Sequence, residues 1–138
     1  MKDNAYKRSQ TCVYNINYHI VWAVKYRHKV LSAEIESELK SILLEIGKEK
    51  GFAVVQCEVG ETDHVHVFVS APTTISPCQI AKYLKGISGR LIMKAHPALT
   101  DKLLRGHLWN DSYFIETIGS VGEEAVRAYI ERQKTCQK

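Results

Sequence analysis

His64-Val65-His66 sets two imidazoles two residues apart within the apolar run His-Val-His-Val-Phe-Val-Ser (64–70). Side chains alternate faces along a strand, so both rings would stand on one face with α-carbons about 6.6–6.8 Å apart. At that spacing both can lean onto one cation, while Val65, Val67 and Val69 point into a core. Three chemistries fit the pair. Two half-buried histidines can simply bond to neighbours. A structural zinc centre wants four N/S ligands, and no cysteine lies at a suitable spacing. The third is an open divalent-metal site with room for a phosphate.

Tyr129 and Gln133 bear on that choice, because residues i and i+4 share one helix face. A tyrosine hydroxyl is a competent covalent nucleophile. A glutamine carbonyl oxygen is a hard ligand suited to Mg²⁺ or Mn²⁺. Two histidines and one glutamine are neutral, so a dication among them keeps its charge for a phosphodiester. A tyrosine on an apolar helical stripe can equally be a packing residue.

The elements that would position these groups can be read in order. From Tyr14 to Tyr26 the even positions are apolar or aromatic, and the odd ones begin Asn15, Asn17, His19, which predicts a long strand with one apolar face. Ser32 caps a helix carrying Ile35, Leu39, Ile42, Leu43 and Ile46, and Gly51 stops it. Residues 53–59 alternate as a strand, and Gly60-Glu-Thr-Asp63 turns the chain into the histidine strand. Ser76-Pro77-Cys78-Gln79 reads as a capping box with proline at the first helical position. That helix buries Ile80, Leu84, Ile87 and Leu91, sets Lys82 and Lys85 opposite them, and ends at Pro97. Ser112–Ile118 is a last strand, and Ser120-Val-Gly-Glu123 is a second capping box opening a helix with Val126, Tyr129, Ile130 and Gln133. The order β-α-β-β-α-β-α is an α+β, ferredoxin-like βαββαβ with an antiparallel sheet, plus a C-terminal helix carrying the tyrosine.

All 138 residues are expected to form a single domain, with residues 1–10 a loose tail. No apolar run approaches the ~20 residues that cross a bilayer. Four scattered cysteines form no C-x-x-C pair and read as reduced packing thiols of a cytoplasmic protein. Net charge is +4, but residues 1–30 and 82–105 each hold six cations against one acid. Two such blocks suit a polyanion partner, or are solvated lysine-rich surfaces.

These residues together resemble a known family. His64-Val65-His66 after Asp63 is similar to the histidine–hydrophobic–histidine (HUH) signature of single-strand nucleases with a tyrosine nucleophile. The nearest resemblance is to the single-tyrosine (Y1) transposases of the IS200/IS605 insertion sequences, over about residues 12–134. It includes Val-Lys-Tyr-Arg-His (24–28), Lys85-Gly86-x-Ser88-x-Arg90, Leu108-Trp109-Asn110-Asp111-Ser112-Tyr113-Phe114, and Tyr129 with Gln133. The resemblance implies a homodimer acting on single-stranded DNA with subterminal hairpins. It implies a divalent metal, Mg²⁺ or Mn²⁺, held by His64, His66 and Gln133, and attack by Tyr129 to leave a 5′-phosphotyrosine and a free 3′-hydroxyl. It also implies that the tyrosine helix can complete the partner's site. Gly119 and Gly122 would permit that hinge, or serve only as a helix-entry turn.

Expected DNA contacts are Lys25, Arg27, His28 and Lys29 after the first strand, and Lys82, Lys85 and Arg90 on the second helix. Trp109, Tyr113 and Tyr26 can stack on extruded bases, with Trp109 alternatively in the core. Asp63 orients a histidine or serves the turn. Two competing functions are an RRM-like binding module, for which no RNP1 string is present, and a hydrolytic two-histidine phosphoesterase, for which the second His-x-Ser/Thr is missing.

Overall fold

The computed structural model describes residues 6–103, 106–122, 127, 128 and 131. Its strands are β1 (Lys7–Arg8), β2 (Val13–Tyr14), β3 (Ile16–Ala23), β4 (Ala53–Gly60), β5 (His64–Ala71) and β6 (Phe114–Ile118). The helices are α1 (Ala33–Lys50), α2 (Pro77–Ala95) and the short α3 (Leu99–Lys102). The four long strands form one antiparallel sheet in the order β4-β5-β3-β6. Counted among themselves, that is the 4-1-3-2 order of a ferredoxin-like βαββαβ, read from its other edge. The expected α+β class and topology hold. The helix expected to carry Tyr129 falls largely outside the described residues.

Local chemistry explains the element ends. Ser32 Oγ accepts from Ile35 N, and Gly51 ends α1 at φ 94°, a left-handed conformation that costs glycine no Cβ clash. Ser76 Oγ accepts from Gln79 N as expected. Only half of that capping box forms, because the Gln79 side chain donates to the Tyr83 hydroxyl instead. At the last expected box, Ser120 Oγ accepts from Gly122 N, and Glu123 lies outside the described residues.

Several boundaries differ from expectation: the last strand begins at Phe114 rather than Ser112, and the first long strand at Ile16 rather than Tyr14. Residues 7–8 are not loose: they pair with β2 in a small hairpin closed by Ser9 N donating to Cys12 O at 2.7 Å. The first long strand stops at Ala23 rather than Tyr26, because Tyr26 and Arg27 both take φ 55°. The turn they form is held by its neighbours: Val24 N donates to Asp63 O at 2.8 Å and Lys25 N to Leu108 O at 2.9 Å.

The core lies between the helices and one sheet face. Ile20 and Trp22 of β3 and Val65, Val67 and Val69 of β5 pack there against Leu39 and Leu43 of α1 and Ile80 and Leu84 of α2. The α2 stripe runs through Ile80, Ala81, Leu84, Ser88 and Ile92, so Ile87 and Leu91 sit at its margin rather than its centre. Ser88 belongs to that stripe because its hydroxyl accepts from Trp109 Nε1 at 3.0 Å. Trp109 is therefore a core residue, edge-on to Trp22, whereas Tyr26 and Tyr113 are exposed. Among the described residues Cys12, Cys57 and Cys78 are unpaired, and burial pushes the Cys57 thiol up to about 12. No described helix is long and apolar enough to cross a membrane.

Candidate metal centre

The sheet face away from the helices carries His64 and His66. Period-two alternation, with β5 central in the sheet, places both there, and their ring centroids lie 5.1 Å apart at 67°. With metal–nitrogen bonds of about 2.1 Å, imidazoles meeting at about 90–110° have centroids roughly 4.6–5.3 Å apart. The observed spacing fits one shared ion.

Each ring is anchored through its other nitrogen. His64 Nδ1 lies 2.7 Å from Asp63 Oδ1. A carboxylate only accepts, so the N–H of a neutral His64 sits on Nδ1 and its lone pair on Nε2. Asp63 is nearly buried, and its second oxygen accepts from Arg27 Nε at 3.3 Å and Lys29 Nζ at 3.4 Å. Burial opposes ionisation of Asp63, but the His64 hydrogen bond and then the Arg27 and Lys29 charges outweigh it and hold its pKa below the ordinary value. Asp63 thus serves as more than a turn residue. His66 Nδ1 lies 3.0 Å from His19 Nε2, and His19 Nδ1 lies 3.0 Å from Glu116 Oε2. Neither Nε2 of the pair has a hydrogen-bond partner among the described residues.

Gly60 makes room for this arrangement. It pairs with His64 across β4 and β5, and a Cβ placed on it would overlap Nε2 and Cε1 of that ring. Within the described residues, no cysteine, carboxylate or further histidine completes a three-ligand set with both rings. A glutamine carbonyl oxygen suits the same hard cations, but Gln133 and Tyr129 lie outside the described residues. The grouping of Glu34, Glu38 and His96 sits instead at the helix ends, where His96 Nε2 bonds Glu38 Oε1 at 2.8 Å.

Burial, then the neighbouring His19 and His64 charges, push His66 down to about 4; burial also lowers His19. His66 is therefore neutral at pH 7, the form in which an imidazole can act as a ligand. Unfolded, a histidine titrates near 6.5, so acid favours the unfolded chain from there down to about 4. The metal-free thermal midpoint is expected to fall as pH drops across that window. Loss of the Asp63 contribution at still lower pH has the same sign. Melts in chelator from pH 7.5 to 4 check this, and a flat or rising midpoint contradicts it.

The expected nucleic-acid contacts lie on two elements. Arg27, His28 and Lys29 are exposed and Lys25 half-buried on the turn after β3; Lys82 and Arg90 are exposed on α2. Lys85 is already engaged, since its Nζ donates to the carbonyls of Asn110, Asp111 and Ser112 at 2.8–3.1 Å. Lys85 and Arg90 also line an open groove of about 560 Å³ between α2 and residues 106–111. Sequence pattern alone does not mark His19, Glu116 or Gly60 as site residues. The signal for His19 was its parity with Val21 and Ala23, which makes the odd face of β3 partly apolar.

Comparison with known proteins decides the family. A model of the IS200-like transposases matches residues 12–133. The chain belongs to the IS200-like transposase family. Within that family it is 41% identical over 127 residues to the ISDra2 transposase TnpA of Deinococcus radiodurans, covering 92% of this chain and 90% of the relative. It is 28% identical to the IS200 transposase of Salmonella typhimurium, over 87% and 78% of the two chains. A crystal structure from Deinococcus radiodurans superposes with a TM-score of 0.75 at 37% identity, over 92% of this IS200-like chain and 97% of the other. A REP-associated tyrosine transposase bound to a REP hairpin shares the fold at a TM-score of 0.56 and 11% identity, covering 91% and 68%.

Proposed function

We propose that this transposase cuts and rejoins single-stranded DNA at insertion-sequence ends through a covalent link to Tyr129. The observation that carries the reading is the His64–His66 pair: two anchored imidazoles on one face, each Nε2 without a hydrogen-bond partner among the described residues. His64, His66 and Gln133 would hold Mg²⁺ or Mn²⁺, which when bound supplies polarisation of the scissile phosphate. The Tyr129 oxygen forms a new bond to phosphorus as the bond to the 3′-oxygen breaks, and the 3′-oxygen leaves as a hydroxyl. One phosphoester replaces another, so a 3′-hydroxyl reseals the strand from the 5′-phosphotyrosine without ATP.

The cations on the turn after β3 and on α2 contact the DNA backbone, which gives binding a strong salt dependence. The working unit is a homodimer acting in the cytoplasm on strands with subterminal hairpins, and the Tyr129 helix can complete the partner's site. The hairpin-bound relative supports a hairpin substrate. With Mg²⁺ and single-stranded transposon-end DNA, the wild type is expected to give a covalent adduct on a denaturing gel. Tyr129→Phe is expected to lose it by at least about 10³-fold. No wild-type adduct, or one that persists in Tyr129→Phe, overturns the reading; free 5′-phosphate ends assign the attack to water.

A further inference from the structure

His19 and Glu116 have no part in the reaction above, yet they form a continuous hydrogen-bonded line to His66 across three strands. Glu116 of β6 stands directly opposite His19 of β3, and His19 stands opposite Phe68 of β5. His66, two residues before Phe68, is the diagonal neighbour on the same face. The His19 and His66 rings are parallel to within 4°, with centroids 5.2 Å apart. With a 3.0 Å Nε2···Nδ1 separation, that is an in-plane hydrogen bond rather than a face-to-face stack. The His19 ring is fixed by Phe68, stacked at 4.6 Å and 10°, and by the edge of Phe114 at 6.2 Å.

Donor and acceptor bookkeeping along this line has one solution for neutral rings. The Glu116 carboxylate has no proton to give, so His19 Nδ1 must donate to it. A neutral imidazole has one N–H, so His19 Nε2 accepts. His66 Nδ1 must then donate to His19, which leaves the His66 lone pair on Nε2. We infer that Glu116 and His19 are positioning residues, a relay that fixes His66 as its Nδ1–H tautomer and presents Nε2 as a ligand. The use of that ligand rests on the metal reading above; the tautomer does not. Asp63 does the same for His64 in one step. The two ligands are thus set from opposite sides, one by a carboxylate directly and the other by a carboxylate acting through a second imidazole.

The test uses the full chain labelled with ¹⁵N-histidine. Two-bond ¹⁵N–¹H spectra of the metal-free wild type at pH 7.5 are expected to show His66 protonated at Nδ1 and bare at Nε2. Glu116→Leu, at a partly exposed strand position, removes the terminal acceptor without touching the buried His19. It is expected to mix the His66 tautomers and to weaken Mn²⁺ binding, followed by EPR, by about 10–100-fold, the usual cost of losing an outer-shell partner. A wild-type His66 protonated at Nε2, or a Glu116→Leu protein with unchanged tautomer and Mn²⁺ affinity, overturns the relay. Failure of the wild type to bind Mn²⁺ overturns the metal reading instead, and the spectra still decide the relay.

Discussion

Gly60→Ala is expected to reduce covalent adduct formation at least about 100-fold in a protein that still folds, because misplacing a reacting group by about 1 Å costs that much. Gly60 is not among the residues with positive φ, so its backbone accepts alanine. Replacing glycine inside a strand even regains roughly 0.5–1 kcal/mol of chain entropy. The steric cost falls on one neighbour: the new Cβ would overlap Nε2 and Cε1 of His64. The ring must swing away, which breaks its hydrogen bond to Asp63 and moves its Nε2. Mn²⁺ affinity, adduct yield and thermal midpoint measured on one preparation check this. A variant that binds Mn²⁺ like the parent removes His64 from the ligand set.

Gly47→Val is expected to destabilise the fold by about 3 kcal/mol, at the upper end of what overpacking costs. Gly47 lies buried near the end of α1, and its carbonyl accepts from both Gly51 N and Phe52 N. A Cβ there would lie 2.6 Å from Phe52 O and 3.3 Å from Val54 N. Both are backbone atoms, so no side-chain rotation relieves the clash. Helix propensity favours valine over glycine by only a few tenths of a kcal/mol, too little to compete. Denaturant unfolding measures the loss, and a midpoint equal to the parent's contradicts the close approach of α1 to β4.

The caps at Ser32, Ser76 and Gly51 were legible because each rests on a local rule tying residue type to backbone geometry. The histidine pair was legible for the same reason, since period two alone puts both rings on one face. His19 was not. Alternation assigns the odd positions of β3 to solvent, yet His19 is 0% exposed and Asn17 3%. Residues on the histidine side are buried over that stretch too, as Phe68 and Ser70 of β5 also show. A polar residue inside such a strand is placed by partners distant in sequence, here Glu116 and His66, and no local pattern names them. Lys85 misled for a related reason. Helical phase put it opposite the apolar stripe, but three carbonyls of the 110–112 loop arrive there from elsewhere in the chain.

Arg27 and Lys29 are already engaged. Both now stabilise the Asp63 carboxylate, which in turn holds His64. A phosphate drawn to either cation competes with that carboxylate for the same N–H groups. Loading of the β3 turn by an anion and the grip on His64 are therefore coupled equilibria, each shifting the other by an equal free energy.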